Sequence, residues 1–193
     1  MKATKISDNI YWVGAIDWNL RSFHGYDTSN GSSYNAYLII DEKITLIDNV
    51  KEGFKQELLE RIASVVDPSK IDIIISNHGE PDHSGAINDI TNVAKNATIY
   101  VSGAVGEKIL KAYYGDTHDI KVVKTGDKIN TGKYNFTFLQ TPFVHWPDNM
   151  VTYLEEEKIL FSNDCFGQHY ASSSRFDYNA DPQIAIIEAR KYY

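Results

Sequence analysis

The amino-acid sequence predicts a layered α/β fold around a single core, and three observations predict it. Short apolar runs, of which Ile71 to Ile75 is the clearest, alternate with segments whose apolar residues recur at helical spacing. In the second half of the chain two-residue alternation takes over at Tyr134, Phe136 and Phe138, the mark of a half-buried antiparallel strand. Histidines and carboxylates gather at the ends of strands, where α/β folds place their chemistry.

Taken in order, Ile10 and Trp12 alternate with Tyr11 and Val13 in a strand that Gly14 ends. From Ala15 to Ser33 the chain is polar, and Gly25, Asn30, Gly31, Ser32 and Ser33 mark a long loop. Loops of that length in a compact domain are usually functional, so His24 is a candidate to overhang a site. Tyr34 to Ile40, a turn at Asp41-Glu42, and Ile44 to Ile47 read as a hairpin whose second strand ends at Asp48, placed to support ligands from behind. Phe54, Leu58, Leu59, Ile62, Val65 and Val66 line one face of a helix that Asp67-Pro68 stops.

The apolar run at 71 to 75 then reads as a buried strand, Ala86 to Val93 as a short helix, Thr98 to Ser102 as a strand, and Val105 to Tyr114 as a helix closed by Gly115. His118 falls in a polar link and reads as solvent-exposed. Lys121 to Lys124 is a brief strand, Gly126-Asp127 a turn, and Met150 to Leu154 with Lys158 to Phe161 a hairpin across Glu155-Glu156-Glu157. Asp181-Pro182 opens a last helix, with proline at the first helical position. No stop signal follows between Gln183 and Tyr193, which predicts that the sequence is part of a longer protein.

Composition bounds the function. The 193 residues suffice for one domain with an ample core. A net charge of -7 argues against nucleic acid or an anionic membrane as partner, since both need a basic footprint. No run approaches the roughly 18 apolar residues of a membrane-spanning helix, and Met1 to Lys5 lacks the apolar core of a signal peptide, so a cytoplasmic location is expected. One cysteine, Cys165, excludes an intrachain disulfide and Cys-based metal clusters, and reads as a small packed residue. Most of the thirteen tyrosines read as core and rim packing.

The densest chemistry lies in Asn77-His78-Gly79-Glu80-Pro81-Asp82-His83-Ser84-Gly85, directly after the central apolar run. Gly79 frees the backbone and Pro81 pushes Glu80 towards an extended conformation. In an extended stretch alternate side chains share a face, which would bring His78, Glu80 and Asp82 together and turn His83 away, a layout for two metals. Two further strand ends supply His145, in Thr141-Pro142-Phe143-Val144-His145-Trp146-Pro147-Asp148, and Asp164, in Ser162-Asn163-Asp164. Singly, each would be an ordinary turn residue; their joint placement after strands makes them candidate ligands. A carboxylate such as Glu80 among the imidazoles hardens the donor set, away from zinc and towards iron or manganese.

These motifs resemble one family. The His-x-Glu-x-Asp-His loop, His145 in its Thr-Pro-x-x-His-Trp-Pro-Asp setting, and Phe-Ser-Asn-Asp-Cys-Phe-Gly-Gln-His at 161 to 169 look like the N-terminal diiron domain of flavodiiron proteins, the A-type flavoproteins. The segment from Asp17-Trp18-Asn19-Leu20-Arg21 through His24-Gly25-Tyr26 matches too, so the resemblance covers nearly the whole chain. It implies a metallo-β-lactamase-like αββα sandwich, incomplete at its C-terminal end. Hydrolases of that fold carry His-x-His-x-Asp-His and zinc, whereas here Glu80 takes the second position.

Carried over residue by residue, the resemblance implies His78, Glu80 and His145 on one iron, Asp82 and His83 on the other, and Asp164 bridging. His24 and His169 are expected beside the pocket, able to hydrogen-bond a bound ligand or orient a carboxylate. The last ligand of the second iron and a flavodoxin-like FMN domain are expected beyond residue 193, so residues 1 to 193 alone should hold the second metal poorly. The implied activity is reduction of O2 to water, of NO to N2O, or both, in a head-to-tail homodimer. Rubredoxin, reduced deazaflavin F420 (F420H2) or an NADH-linked reductase would supply electrons. Two other classes compete: a non-catalytic diiron sensor of O2 or NO, and a zinc hydrolase of the same fold, against which Glu80 speaks.

Overall fold

In the computed structural model, which describes residues 1–193, two sheets pack face to face and helices cover one outer side. The chain opens with the hairpin of β1 (Thr4–Ser7) and β2 (Ile10–Trp12). Next, β3 (Ala15–Asp17), β4 (Ser22–Phe23), β5 (Tyr26–Asp27) and β6 (Ser32–Tyr34) form two nested ladders, β3 with β6 and β4 with β5. β7 (Tyr37–Ile39) and β8 (Ile44–Ile47) make a second hairpin. Helix α1 (Lys55–Ala63) crosses to β9 (Ile71–Ser76), which runs into the short α2 (Pro81–Ser84) and then α3 (Ile87–Val93). β10 (Thr98–Ser102), α4 (Gly103–Tyr114) and β11 (Ile120–Val123) complete the first sheet.

That sheet has the order β1-β2-β7-β8-β9-β10-β11, antiparallel through β8 and parallel from β8 to β11. Parallel neighbours need crossover helices, which α1, α3 and α4 provide. β9 lies inside the parallel part, and only Asp72 of its six residues is exposed, which is why its sequence reads as a continuous apolar run. The second sheet is an antiparallel meander of β12 (Lys128–Asn130), β13 (Asn135–Gln140), β14 (Met150–Leu154) and β15 (Ile159–Phe161). Helix α5 (Pro182–Tyr192) follows, its Asp181 accepting from the N–H groups of Gln183 and Ile184 as an N-cap.

Two apolar clusters hold the layers. Leu38, Leu46, Ile74, Ile99 and Val101 on one face of the first sheet meet Leu58 and Ile62 of α1, Ile87 and Ile90 of α3, and Leu110 of α4. On the other face Ile10, Ile39, Ile47, Ile73 and Ile75 meet Tyr134, Phe136, Phe138, Met150, Leu154 and Phe161 of the second sheet. Each fully buried Leu or Ile stabilises by about 1.5–3 kcal/mol, so the scaffold stands on these clusters rather than on the polar loops at its rim. Leu139 and Leu160, on the outer face of the second sheet, remain exposed.

The structure corrects several sequence expectations. The stretch from Ala15 to Ser33 is not one open loop: its polar residues form the two nested ladders. Tyr34 ends β6 instead of starting the hairpin, which begins at Tyr37. β1 and β12 have no alternation long enough to read, since both are short strands at sheet edges. His118 is half-buried, with its Nε2 2.8 Å from Asn88 Oδ1, rather than fully solvated. No helix is long and apolar enough to cross a membrane.

Candidate metal centre

Three loops deliver the candidate ligands to one place. The first leaves β9: Asn77 is buried and tied to both sheets, its N–H and Nδ2 donating to Asp48 Oδ1 and Oδ2 at 2.8 and 3.0 Å. Its carbonyl accepts from the N–H of Met150 at 2.9 Å and its Oδ1 accepts from Thr152 Oγ1 at 2.7 Å. Gly79 then passes so close to α4 that a Cβ there would lie 2.5 Å from Ile109 Cγ2 and 3.2 Å from Asp148 Oδ2. Glu80 is extended with ψ 141°, and Pro81 opens a helical turn through Ser84. Ser84 Oγ closes that turn by donating to the carbonyls of Gly79 and Glu80.

The turn corrects the alternation expected for this loop. The extended stretch ends at Glu80, so His78 and Glu80 share a face as expected, while Asp82 does not join them and instead stands beside His83. His83, expected to point elsewhere, also turns into the site, its ring centroid 5.8 Å from that of His78.

The remaining donors come from the second sheet. His145 lies between β13 and β14, and Asp164 follows β15 in a short 3-10 turn, Asn163–Phe166. His78 Nε2 is 3.0 Å from Glu80 Oε2, and His145 Nε2 is 3.0 Å from the same oxygen. Asp164 divides its carboxylate, with Oδ2 3.1 Å from His145 Nε2 and Oδ1 3.0 Å from His83 Nε2. Asp82 Oδ2 is 3.3 Å from the same His83 nitrogen. One donor atom each from His78, Glu80, His145 and Asp164 falls within 4.8 Å of all the others. Left-handed backbone at non-glycine positions concentrates here: His24, Asp48, Phe143 and Asn163 have φ of 48°, 55°, 66° and 49°. Such conformations persist only where surrounding structure enforces them, as at functional sites.

The electrostatics are those of crowded carboxylates held by imidazoles. Burial alone would raise Glu80, but hydrogen bonds from His145 and His78 outweigh it and pull the carboxyl down to about 2. Asp164 goes well below the usual range: burial again opposes, and His83 and His145 prevail. His145 rises to about 9 through its bonds to Asp164 and Glu80. For His83 burial pulls down, yet Asp164 and Asp82 push it well up. Without a metal these contacts near 3 Å are hydrogen bonds from protonated imidazoles, and a metal ion would take the place of the ring hydrogens. Asp82 Oδ1 is also buried without any hydrogen-bond partner, so the donors present fit metal ions of hard character.

A cavity of about 1050 Å³ opens over the donors. The two non-ligand candidates both reach it. His24, half-exposed on the β4–β5 connection, sets its Nε2 against Glu80 Oε1. His169 sets Nδ1 3.0 Å from Ser32 Oγ and lines the same cavity, where burial lowers its pKa against the pull of Asp82, Asp164 and Glu80. Tyr192 of α5 roofs the site, its ring 5.6 Å from His145 and 5.8 Å from His169 and stacked 5.7 Å from Tyr26. Sequence reading missed Tyr192, for which periodicity gives no signal, and passed over Asp148. The latter stands three residues after His145, and its oxygens lie 3.1 and 3.2 Å from His78 Nδ1.

Comparison with known proteins agrees with this geometry. The profile of the family described as ODP family beta lactamase matches residues 33–189. Over 191 residues the chain is 45% identical to a nitric oxide reductase of Moorella thermoacetica, covering 97% of this chain and 48% of the relative. Among solved structures, the rubredoxin oxygen:oxidoreductase of Desulfovibrio gigas superposes with a TM-score of 0.95 at 43% identity, over 100% of this chain and 48% of that one. The flavodiiron protein of Giardia intestinalis superposes with a TM-score of 0.94 at 39% identity, over 100% and 47%. The chain thus spans about half the length of the relatives it matches.

Proposed function

From the premise that this chain belongs to the ODP family of beta-lactamase-like domains, we propose that it holds a binuclear iron centre at which O2, NO or both are reduced. The observation that carries the reading is the divided carboxylate of Asp164, with one oxygen towards His83 and the other towards His145. A carboxylate shared in this way would serve two ions, with His78, Glu80 and His145 holding one and Asp82 and His83 the other. Glu80, in the position where zinc hydrolases of the fold carry histidine, supports iron.

When bound, two ferrous ions would supply open positions and two electrons, enough to take two NO to N2O, while reduction of O2 to water would draw two more from the external donor. The protein's own residues supply the rest. His78 and Glu80 are buried and fix the floor, whereas His24 and His145 are partly exposed and border the entrance. Both reductions consume one proton per electron. His24, in contact with Glu80 and open to solvent, is the group placed to pass protons inward. Tyr192, Tyr26 and Trp146 wall the cavity with aromatic surface that limits the water reaching the donors.

The electron path belongs to the same proposal. The name flavodiiron protein and the half-length match support a flavodoxin-like FMN domain beyond residue 193, and the proposal includes a head-to-tail homodimer that would bring the flavin of one subunit to the metals of the other. Rubredoxin, F420H2 or an NADH-linked reductase would then be the donor. The test is anaerobic loading of the full-length protein with ferrous iron, followed by iron analysis and by consumption of O2 and NO under a chemical reductant. Two irons per chain with turnover of either gas is the expected result. Stoichiometric zinc as isolated, with ester hydrolysis and no gas consumption, would replace the reading by a hydrolase.

A further inference from the structure

We propose that Asp148 is a positioning residue that fixes the tautomer of His78, and that the backbone amide of Gly79 makes its carboxylate irreplaceable by an amide. The inference rests on the binuclear reading above. Asp148 is 2% exposed and hangs from the β13–β14 connection, so it reaches the first ligand loop from the opposite sheet. Its Oδ2 accepts from the N–H of Gly79 at 2.7 Å, while Oδ1 lies 3.1 Å and Oδ2 3.2 Å from His78 Nδ1. An ionised carboxylate only accepts, so Asp148 holds a hydrogen on Nδ1, and the hydrogen that Nε2 gives to Glu80 is the one a metal would replace. Nε2 is the atom that faces Glu80 Oε2 at 3.0 Å and Asp164 Oδ2 at 3.8 Å. Trp146, edge-on to the imidazole at 5.2 Å and 82°, blocks rotation of a ring that is fully buried.

The two metal positions are unequal in this respect. His83 has no such support, since its Nδ1 is buried without a hydrogen-bond partner. A carboxylate behind an imidazole strengthens it as a donor, and loss of such a partner weakens metal binding by roughly 10–100-fold. The position held by His78, Glu80 and His145 should therefore bind more tightly than the one held by Asp82 and His83.

Asp148→Asn separates this role from mere loop tethering. The amide oxygen still accepts from Gly79 N–H, which must have an acceptor because it is buried, and this turns the NH2 group towards His78 Nδ1. A donor there forces the hydrogen onto Nε2, the nitrogen a metal needs free. In the full-length protein three measurements decide. Ring-nitrogen NMR of His78 in the metal-free protein should show a hydrogen on Nδ1 in wild type and none there in the variant. Zinc, used as a diamagnetic probe in chelator competition, should bind its tighter position at least tenfold more weakly. The melting point of the metal-free protein should stay within a few degrees of wild type, as a tethering role alone would also predict.

A variant that keeps Nδ1–H, or that binds zinc as wild type does, overturns the inference. If the variant does not fold, the wild-type spectrum decides alone, because the absence of a hydrogen on Nδ1 of His78 there is equally fatal. Failure of the wild-type protein to bind metal would instead overturn the binuclear reading, and the NMR result would still stand for Asp148.

Discussion

Asp48 and Asn77 are joined by two hydrogen bonds, from the backbone N–H of Asn77 to Oδ1 at 2.8 Å and from its Nδ2 to Oδ2 at 3.0 Å. Both residues are buried, and Asp48 adopts φ 55° to make the contact. Burial raises the Asp48 carboxyl above its ordinary value, against the pull of Asn77 and His83, so a carboxylate is kept here at a cost. Its return is the direction of the chain as it leaves β9 for His78. Asp48→Ala would leave the donors of Asn77 unpaired and force alanine into left-handed backbone. A loss of about 1–3 kcal/mol in the denaturant stability of the metal-free protein is expected. Unchanged stability together with unchanged metal content would remove Asp48 from this role.

Asp164→Ala tests the division of one carboxylate between two histidines. Without it His83 and His145 lose the oxygens at 3.0 and 3.1 Å, and the two donor groups no longer share a residue. Iron per chain should fall clearly below two, and reduction of O2 and NO should cease. The variant should still fold, because the two apolar clusters that hold the sheets do not include Asp164. Two irons with wild-type turnover would refute the bridge.

Strand and helix assignments were legible wherever burial imposed a period. β9 read directly because a parallel strand covered on both faces carries the continuous run Ile73 to Ile75, and β10 and β13 read from alternation, Ile99 and Val101 in one and Phe136 and Phe138 in the other being buried. What the sequence hid was set by local backbone geometry. The helical turn begun by Pro81 moved Asp82 away from His78 and brought His83 in, which an argument from strict alternation could not see. Asp148 and Tyr192 were hidden for another reason. Each acts through a contact with a residue distant in sequence, 70 positions away for His78 and Asp148. No spacing rule reports such a pair.

His24 and His169 face the cavity from two different segments, and neither stands among the inferred metal ligands. His24 touches Glu80, so His24→Asn should leave iron bound while altering turnover or the balance between O2 and NO. His169 is anchored by Ser32 and packs against Tyr192, and His169→Asn should act in the same direction through the shape of the roof. Iron analysis and the two gas-consumption rates measure this. Equal rates for both gases in both variants would make the two histidines bystanders.

Protons and metal should compete openly at this centre. In the metal-free protein His145 is raised from 6.5 to about 9 by Asp164 and Glu80, so at neutral pH an imidazolium neutralises those carboxylates. A folded-state value above the unfolded one means that this pairing stabilises fully below about pH 6.5 and is lost as pH climbs through about 9. Glu80, lowered from 4.5 to about 2, has the opposite sign: its contribution is present above 4.5 and lost as pH falls through about 2. The melting point of the metal-free protein should therefore decline between pH 6.5 and 9. Over the same interval the affinity for ferrous iron should rise, because each ion must displace the His145 proton to gain its Nε2. With metal bound the proton is already gone, so the melting point of the loaded protein should be nearly flat across that window. A metal-free protein whose melting point rises with pH there, or an affinity that falls, would contradict the charge arrangement derived for Glu80, His145 and Asp164.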